Sequence, residues 1–310
     1  MSVLKLNYPV ITLDGTELLA AGKELSEETL RELISSNSSS YEINSLADHG
    51  SIKQDLVSFL KRPPYNMVFA DQGQVAELLK LMEGVNLVSP VLQSLDHFRK
   101  NDFYTYRHIL MVFALSTLVA GDLIEDYQDR IREAATGPTH DIGKLCISPD
   151  ILRKAAPLTR AEHHNLEHHA AAGYVLLSYY FKDSKTLPVA VAKEHHERTD
   201  GSGYPAGLKL NDRMVEIVAV SDIYDALISP RPYRPVAYDN RTAFEELTTM
   251  AETGKIGWEV VKALIAHSRR DKPHFSECEV STEKRGAPPP GNVYGIIADE
   301  QDPDQSPENK

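Results

Sequence analysis

Residues 140–144 read His-Asp-Ile-Gly-Lys, and residues 195–208 read His-His-Glu-Arg-Thr-Asp-Gly-Ser-Gly-Tyr-Pro-Ala-Gly-Leu. The segment from His108 to His196 contains the first stretch and the start of the second, and it holds eight of the 12 histidines of the chain. Neutral imidazole and carboxylate groups together are ligands for first-row transition metals. The clustering therefore predicts a multinuclear metal site built from this part of the sequence.

The pair His140-Asp141 is the centre of this prediction. Adjacent side chains on a helix point about 100° apart, so both reach one cavity only near a helix end or a kink. The preceding Gly137-Pro138-Thr139 and the following Gly143 supply such an irregularity. Asp141 has two oxygens that can bridge two cations, as two-metal hydrolytic sites require. Lys144, four residues beyond His140, is expected to point into the same region and to pair with a phosphate oxygen.

Further candidate ligands lie where an unpartnered polar group would be costly. His108 opens the apolar stretch 109–120, and Asp222 interrupts the apolar stretch 220–227. Burial of an imidazole or a carboxylate without a partner is unfavourable, which favours a ligand role for both. His195 and His196 end a predicted helix beside the glycine-rich loop.

Four more histidines fall on a helix predicted from Thr159, which opens a capping box with Glu162, to about residue 180. The spacing places His164 and His168 on one stripe, and it does not decide between His168 and His169 as a ligand.

The chain divides into three predicted regions. Residues 1–95 form a small mixed α/β domain with a regulatory or interaction role, containing a strand at Val10–Leu13 and helices after Ser26 and over 74–82. Residues 96–272 are mainly helical, with helices near 187–197, 214–227, 242–252 and 258–267. Residues 273–310 are of low hydrophobicity and predict a flexible tail.

Bulk composition excludes some classes of function. The formal net charge is −12 over 310 residues, which argues against a DNA-binding protein because such a protein needs a basic face. The two cysteines are far apart and indicate free thiols in a reducing compartment. The sequence shows no apolar run of about 18 residues and no signal peptide. We therefore expect a cytoplasmic protein without a membrane span.

The motifs resemble those of a known family. Residues 140–144 look like the HD signature of the HD phosphohydrolase superfamily, and residues 195–208 look like the loop that names its HD-GYP subfamily. Residues 221–227, followed by Arg231-Pro-Tyr-Arg234, are similar to the family's C-terminal motif. The resemblance covers roughly residues 95–270. It implies a helical bundle around a centre of two or three metal ions, commonly iron or manganese, and hydrolysis of cyclic di-GMP.

The resemblance also implies roles for individual residues. Lys144 falls on the phosphate-contacting lysine, Tyr204 on the loop tyrosine, and Arg231 and Arg234 on basic positions near the substrate. Asp141 with Lys144 would carry catalysis. The family pattern selects His169 over His168, so His163, His164 and His168 are interpreted as surface or supporting residues. The implied metal ligands are His108, His140, Asp141, His169, His195, His196 and Asp222.

Three departures from the family pattern bear on activity. Tyr104 occupies the slot where some members carry a glutamate that accompanies a third metal, so two divalent ions are expected, with iron before manganese. The stretch 135–138 interrupts the helix that usually precedes the HD pair. Pro230 stands where the family usually has an acidic residue, so the basic loop after it is expected to be placed differently.

These observations lead to one main hypothesis and two alternatives. The main one is hydrolysis of cyclic di-GMP to linear pGpG, with further cleavage to GMP left open, by attack of a metal-activated hydroxide at phosphorus. The second is a low-turnover or inactive module that binds cyclic di-GMP or a protein partner as a signalling adaptor. The third is hydrolysis of another phosphate ester. A signalling protein is the expected partner of residues 1–95.

Overall fold

The computed structural model describes residues 4–231, 236–290, 292, 297 and 298. Its N-terminal part contains two small antiparallel β-ribbons. The first pairs β1 (Val10–Ile11) with β2 (Glu17–Leu19), and the second pairs β3 (Ile43–Ser45) with β4 (Asn86–Val88). The predicted strand at residue 10 is thus confirmed, although it is shorter than expected.

Four helices accompany these ribbons. Ser26 caps the first of them by accepting a hydrogen bond from the amide of Thr29, as the sequence predicts. Asp71 caps the fourth, which begins two residues before the predicted position because its carboxylate accepts from the amides of Gly73 and Gln74. The four are α1 (Glu27–Ser36), α2 (Ile52–Leu60), α3 (Tyr65–Val68) and α4 (Gln72–Gly84).

The rest of the described chain is mainly helical, which confirms the prediction of a mainly α fold. The capping box of Thr159 and Glu162 is present at the start of the longest helix. The helix predicted to end near residue 197 stops at Glu194, before the paired histidines. The helices are α5 (Ser89–Asn101), α6 (Phe103–Leu123), α7 (Tyr127–Ala134), α8 (Pro149–Leu152), α9 (Arg160–Phe181), α10 (Leu187–Glu194), α11 (Arg213–Ile228), α12 (Asn240–Glu252) and α13 (Trp258–Ser268).

Helices α6 and α11 form the centre of the bundle and pack against each other. Both are buried on nearly every side, as apolar residues all around a helix require. Among the described residues, α6 is the one helix that is long and apolar enough to cross a membrane, and 78% of its apolar window is buried within the protein. In this fold, α6 is a core helix.

The segment between α7 and α8 is irregular, as the sequence predicts. Turns run from residue 135 to Asp141, and a short 3-10 helix follows over Ile142–Cys146. This 3-10 helix packs on α9 so closely that a Cβ added to Gly143 would lie 1.9 Å from the carbonyl oxygen of His169. Glycine at 143 therefore allows the approach that brings Asp141 and His169 together.

The boundary predicted at residue 95 remains a prediction. In the described chain, one hydrophobic core includes side chains from Leu6 to Cys278 and so crosses that boundary. Part of the predicted tail also packs, since Cys278 is buried and the amide of Gly286 donates to Glu245 at 2.7 Å. The rest of the predicted tail, apart from residues 292, 297 and 298, lies outside the described residues.

Candidate metal centre

The fold brings the side chains of all seven predicted metal ligands into one cluster. Helix α6 supplies one ligand, the turn before the 3-10 helix supplies two, and α9, the end of α10 and α11 supply the others. Six of the seven are at least nine-tenths buried, and His196 is partly buried. The cluster consists of His108, His140, Asp141, His169, His195, His196 and Asp222.

Asp141 lies in the middle and divides the cluster in two. Its Oδ2 faces the Nε2 atoms of His108 and His140, at 3.5 and 3.4 Å. Its Oδ1 faces the Nε2 atoms of His169 and His195, at 3.6 and 4.0 Å. One carboxylate oxygen therefore points toward each half, which is the arrangement of a bridging ligand.

The half of the cluster on the Oδ1 side of Asp141 contains three histidines whose Nε2 atoms lie close together. The Nε2 atom of His169 lies 3.3 Å from that of His195 and 3.0 Å from that of His196. The Nδ1 of His169 donates to the carbonyl of Leu166, and that of His195 donates to the carbonyl of Val191. Burial lowers the pKa of His169 to about 4 and that of His195 to about 3.

Both rings are consequently neutral at pH 7, with the proton on Nδ1 and a lone pair on Nε2. Two lone pairs that face each other at 3.3 Å repel, and neither can donate a hydrogen bond. A cation between them removes the repulsion. This donor set therefore fits a divalent metal ion.

The half of the cluster on the Oδ2 side of Asp141 is formed by His108, His140 and Asp222. The Nε2 of His108 lies 2.9 Å from Oδ1 of Asp222. His140 donates from Nδ1 to the carbonyl of Gly137, which directs its Nε2 into the cluster, where that atom has no hydrogen-bond partner among the described residues. A buried ring nitrogen without a hydrogen-bond partner is costly, so this half also fits a cation.

The charge of the two aspartates is preserved despite burial. Burial alone would raise the pKa of Asp141, but the Lys144 ammonium and the His140 ring hold it well below its usual range. Burial likewise opposes ionisation of Asp222, but the close contact with His108 and the nearby rings of His196 and His140 together hold its pKa well below the usual range. Both carboxylates are therefore available as anionic ligands.

One acidic residue of the site, Asp225, is not among the residues predicted from the sequence. Asp225 is fully buried on α11, and its Oδ2 accepts from Nδ1 of His108 at 2.7 Å. A carboxylate on the far nitrogen of a ligating histidine fixes the tautomer and the ring orientation. The signal was present, because Asp225 interrupts the same apolar stretch as Asp222.

The predicted substrate residues border the cluster. Lys144 contacts Oδ2 of Asp141, and the Tyr204 ring stacks on His196 with ring centres 4.5 Å apart. The guanidinium of Arg231 lies 5.0 Å from the ring centre of Tyr104, and that ring stacks on His108 at 6.0 Å. Arg234, the remaining predicted substrate residue, lies outside the described residues.

Three histidines of the segment stay out of the cluster, as interpreted from the sequence. His163 and His164 lie near Glu167 on the surface side of α9. His168 packs on the ring of Tyr8, with its Nε2 3.4 Å from the carbonyl of Pro9. The structure places the ring of His169, and not that of His168, against the other histidines. The ligand role of His169 stays a prediction, which this geometry supports.

Glu197 organises the loop after the paired histidines. It is buried, and its carboxylate accepts from the amides of Ala206 and Leu208 at 2.8 and 3.0 Å. A Cβ at Gly203 would lie 2.3 Å from the carbonyl oxygen of His196, so only glycine allows this fold-back. The loop is thereby held against His196 with Tyr204 facing the cluster.

The sequence that builds this site matches a known protein family. The HD domain family matches residues 98–260, which is more than half of the chain. The chain belongs to the HD domain family, and the predicted relationship to HD-GYP proteins is confirmed.

Parts of this chain are also similar in sequence to bacterial proteins with named activities. A cyclic di-GMP phosphodiesterase of Thermotoga maritima is 38% identical over 184 residues, covering 57% of this chain and 48% of that protein. The 3'3'-cGAMP-specific phosphodiesterase 3 of Vibrio cholerae is 39% identical over 133 residues, covering 42% and 28%. The chain thus spans about half, or less, of the length of these relatives.

A solved structure aligns with most of this chain. It is described as an HDG"Y"P protein from Bdellovibrio bacteriovorus and has a TM-score of 0.47 at 17% identity. The similarity covers 85% of this chain and 94% of that one.

Proposed function

We propose that this chain hydrolyses cyclic di-GMP to linear pGpG with the help of two divalent metal ions. The observation that carries the proposal is the division of the seven-ligand cluster by Asp141, one oxygen to each half. The name of the Thermotoga maritima relative supports the choice of substrate. For the metals we propose iron first and manganese second, since imidazole-rich sites with carboxylates suit both.

When bound, the ions would lower the pKa of water toward neutrality and withdraw charge from the phosphate oxygens. His108, His140 and Asp222 would hold one ion, and His169, His195 and His196 the other, with Asp141 between them. The protein itself holds these ligand side chains in place and, by burying most of them, keeps them away from bulk water. Lys144, beside Asp141, would hold a phosphate oxygen by its ammonium group as charge grows on it.

The surroundings suit a ligand with two bases and two phosphates. Tyr204 lies on the His196 side of the cluster, and Tyr104 with Arg231 lies on the His108 side. Aromatic rings and guanidinium groups stack on bases, and guanidinium binds phosphate bidentately. We propose that Tyr204 and Arg231 contact the dinucleotide, and that Arg234 contributes a second guanidinium.

A hydrolase is favoured over a binding-only adaptor by the placement of His140. The interruption at residues 135–138 predicted a distorted approach to the ligands. In the structure these turns leave His140 and Asp141 within the cluster. Of the two reasons for expecting low turnover, the interruption is therefore weaker than the sequence suggests, and the absence of the glutamate at the position of Tyr104 stands.

A second candidate substrate is 3'3'-cGAMP. Three relatives from Vibrio cholerae carry that specificity in their names, at 33–39% identity. The two substrates differ in one base, so residues that contact the bases would decide between them. Arg231 and Tyr204 are the described candidates for that role.

The test is to incubate the full chain, loaded with iron or with manganese, with each cyclic dinucleotide and to separate the products by chromatography. We expect pGpG from cyclic di-GMP and a slower reaction of 3'3'-cGAMP. The reverse preference would support the second candidate. Binding of cyclic di-GMP without any product, with iron, manganese or nickel, would refute the proposal and favour an adaptor.

A further inference from the structure

The hydroxyl of Tyr65 connects the N-terminal region to the metal centre. Tyr65 lies on α3, outside the residues that match the HD domain family, and it is 1% exposed. Its hydroxyl donates to Oδ1 of Asp225, while the other oxygen of that carboxylate accepts from His108. A continuous chain of buried hydrogen bonds thus runs from Tyr65 to a predicted metal ligand.

The neighbours of this chain hold it in one arrangement. The Nη1 of Arg107 donates to Oγ of Ser229 at 3.0 Å, and Ser229 donates to Oδ2 of Asp225 at 3.2 Å. The guanidinium of Arg107 also lies 5.4 Å from the ring centre of Tyr65. Each carboxylate oxygen of Asp225 therefore accepts at least one hydrogen bond, and Tyr65 is the donor to Oδ1.

We propose that Tyr65 is a positioning residue for the metal centre, fixing the Asp225 carboxylate that orients His108. Without the hydroxyl, Oδ1 of a fully buried carboxylate loses its donor, and the carboxylate gains freedom to rotate away from His108. Metal affinity of the HD domain then depends on a residue from the N-terminal region. This inference rests on the metal centre of the proposed function and not on its turnover.

The chain offers a matched control in Tyr106. This tyrosine is 0% exposed, and its hydroxyl donates to Oδ2 of Asp55 at 2.9 Å, so it also joins α6 to the N-terminal region through a carboxylate. Asp55 does not contact the metal ligands but pairs with Arg99. Tyr106→Phe therefore removes a bond of the same kind without touching Asp225.

The experiment measures Mn²⁺ binding to the metal-free full chain by calorimetry, for wild type, Tyr65→Phe and Tyr106→Phe. Loss of a residue that supports a metal ligand commonly weakens metal affinity by about 10–100-fold. We expect Tyr65→Phe to weaken Mn²⁺ binding by about tenfold and Tyr106→Phe to retain wild-type affinity. The visible spectrum of the Co²⁺-loaded protein should change in Tyr65→Phe alone.

A double-variant comparison separates positioning from a general loss of packing. If Tyr65 acts through Asp225, Tyr65→Phe combined with Asp225→Asn should bind Mn²⁺ no more weakly than Asp225→Asn alone. Additive losses, equal losses in the two tyrosine variants, or unchanged affinity in Tyr65→Phe would overturn the inference. A chain that binds Mn²⁺ as expected but does not cleave cyclic di-GMP would refute the proposed function and leave this inference standing.

Discussion

The Nε2 atoms of His169 and His195 lie 3.3 Å apart, although neither atom carries a proton to donate. Each ring uses its Nδ1 proton on a carbonyl of its own helix, and burial keeps both rings neutral at pH 7. A cation held by both lone pairs removes the repulsion between them. This relationship links the fold to metal binding more directly than any single motif.

The first prediction compares two adjacent histidines of α9. His169→Ala should lower the bound metal by at least one ion per chain, because its Nε2 faces His195 and His196. His168→Ala should retain full metal, because that ring packs on Tyr8. Metal analysis of the purified variants by mass spectrometry gives both values. Loss of metal in His168→Ala with full metal in His169→Ala would mean that the assignment on this helix is wrong.

The second prediction concerns the close packing at Gly143. Gly143→Ala places a Cβ 1.9 Å from the carbonyl oxygen of His169, so the 3-10 helix must move away from α9. We expect a loss of stability of about 1–3 kcal/mol and weaker metal binding. Thermal unfolding and metal analysis test both effects.

Gly121→Ala is the matched control for that variant. Gly121 lies in α6, and an added Cβ would meet Arg130 only at 4.0 Å. Alanine in an open helical position should stabilise the protein by about 0.5–1 kcal/mol. If Gly143→Ala behaved like Gly121→Ala, the close approach of the 3-10 helix to α9 would be refuted.

The third prediction concerns the pH dependence of stability. Glu133 is fully buried at the end of α7, and among the described residues neither of its carboxylate oxygens has a hydrogen-bond partner of good geometry. Burial raises its pKa from 4.5 to about 8, and the nearby Ser116 hydroxyl offsets only part of that rise. The folded state therefore holds a proton that the unfolded chain releases above pH 4.5.

This contribution to stability is fully present below pH 4.5 and is lost as the pH rises toward 8. The free energy of unfolding should fall by about 1.4 kcal/mol per pH unit within that window because of this residue. Glu133→Gln removes the titration, so its melting temperature should exceed that of wild type by a margin that grows from pH 5 to pH 8. A margin that stays constant with pH would show that Glu133 does not titrate in this way.

The fourth prediction concerns the loop that carries Tyr204. Glu197→Ala removes the acceptor for the amides of Ala206 and Leu208, so the loop should no longer hold Tyr204 against His196. We expect the KM for cyclic di-GMP to rise with less change in kcat, because the metal ligands remain. Steady-state kinetics of the metal-loaded enzyme decide this. A loss in kcat alone would place the loop in the chemical step instead.

The local parts of the site could be predicted from the sequence. The HD pair, the paired histidines and Asp222 stand out because polar residues interrupt apolar or glycine-rich stretches. Spacing on α9 does not decide which of His168 and His169 is a ligand. Their side chains point about 100° apart, and the sequence does not tell which of the two directions faces the cluster. The family resemblance selected His169, and the geometry agrees with it.

The contacts across the chain could not be predicted. Tyr65 and Asp225 are 160 residues apart, and nothing in the pattern around Tyr65 indicates a partner on α11. The packing of Arg231 on Tyr104 is likewise non-local. Such pairs depend on how the N-terminal region packs on the bundle, which local periodicity does not encode.

The central claim is a centre of two metal ions bridged by Asp141. The measurement that tests it most directly is a crystal structure of the metal-loaded chain with anomalous diffraction collected at the iron and manganese edges. We predict two anomalous peaks, one beside His108, His140 and Asp222 and the other beside His169, His195 and His196, with Asp141 contacting both. A single peak, a third peak beside Tyr104, or peaks away from Asp141 would contradict the claim.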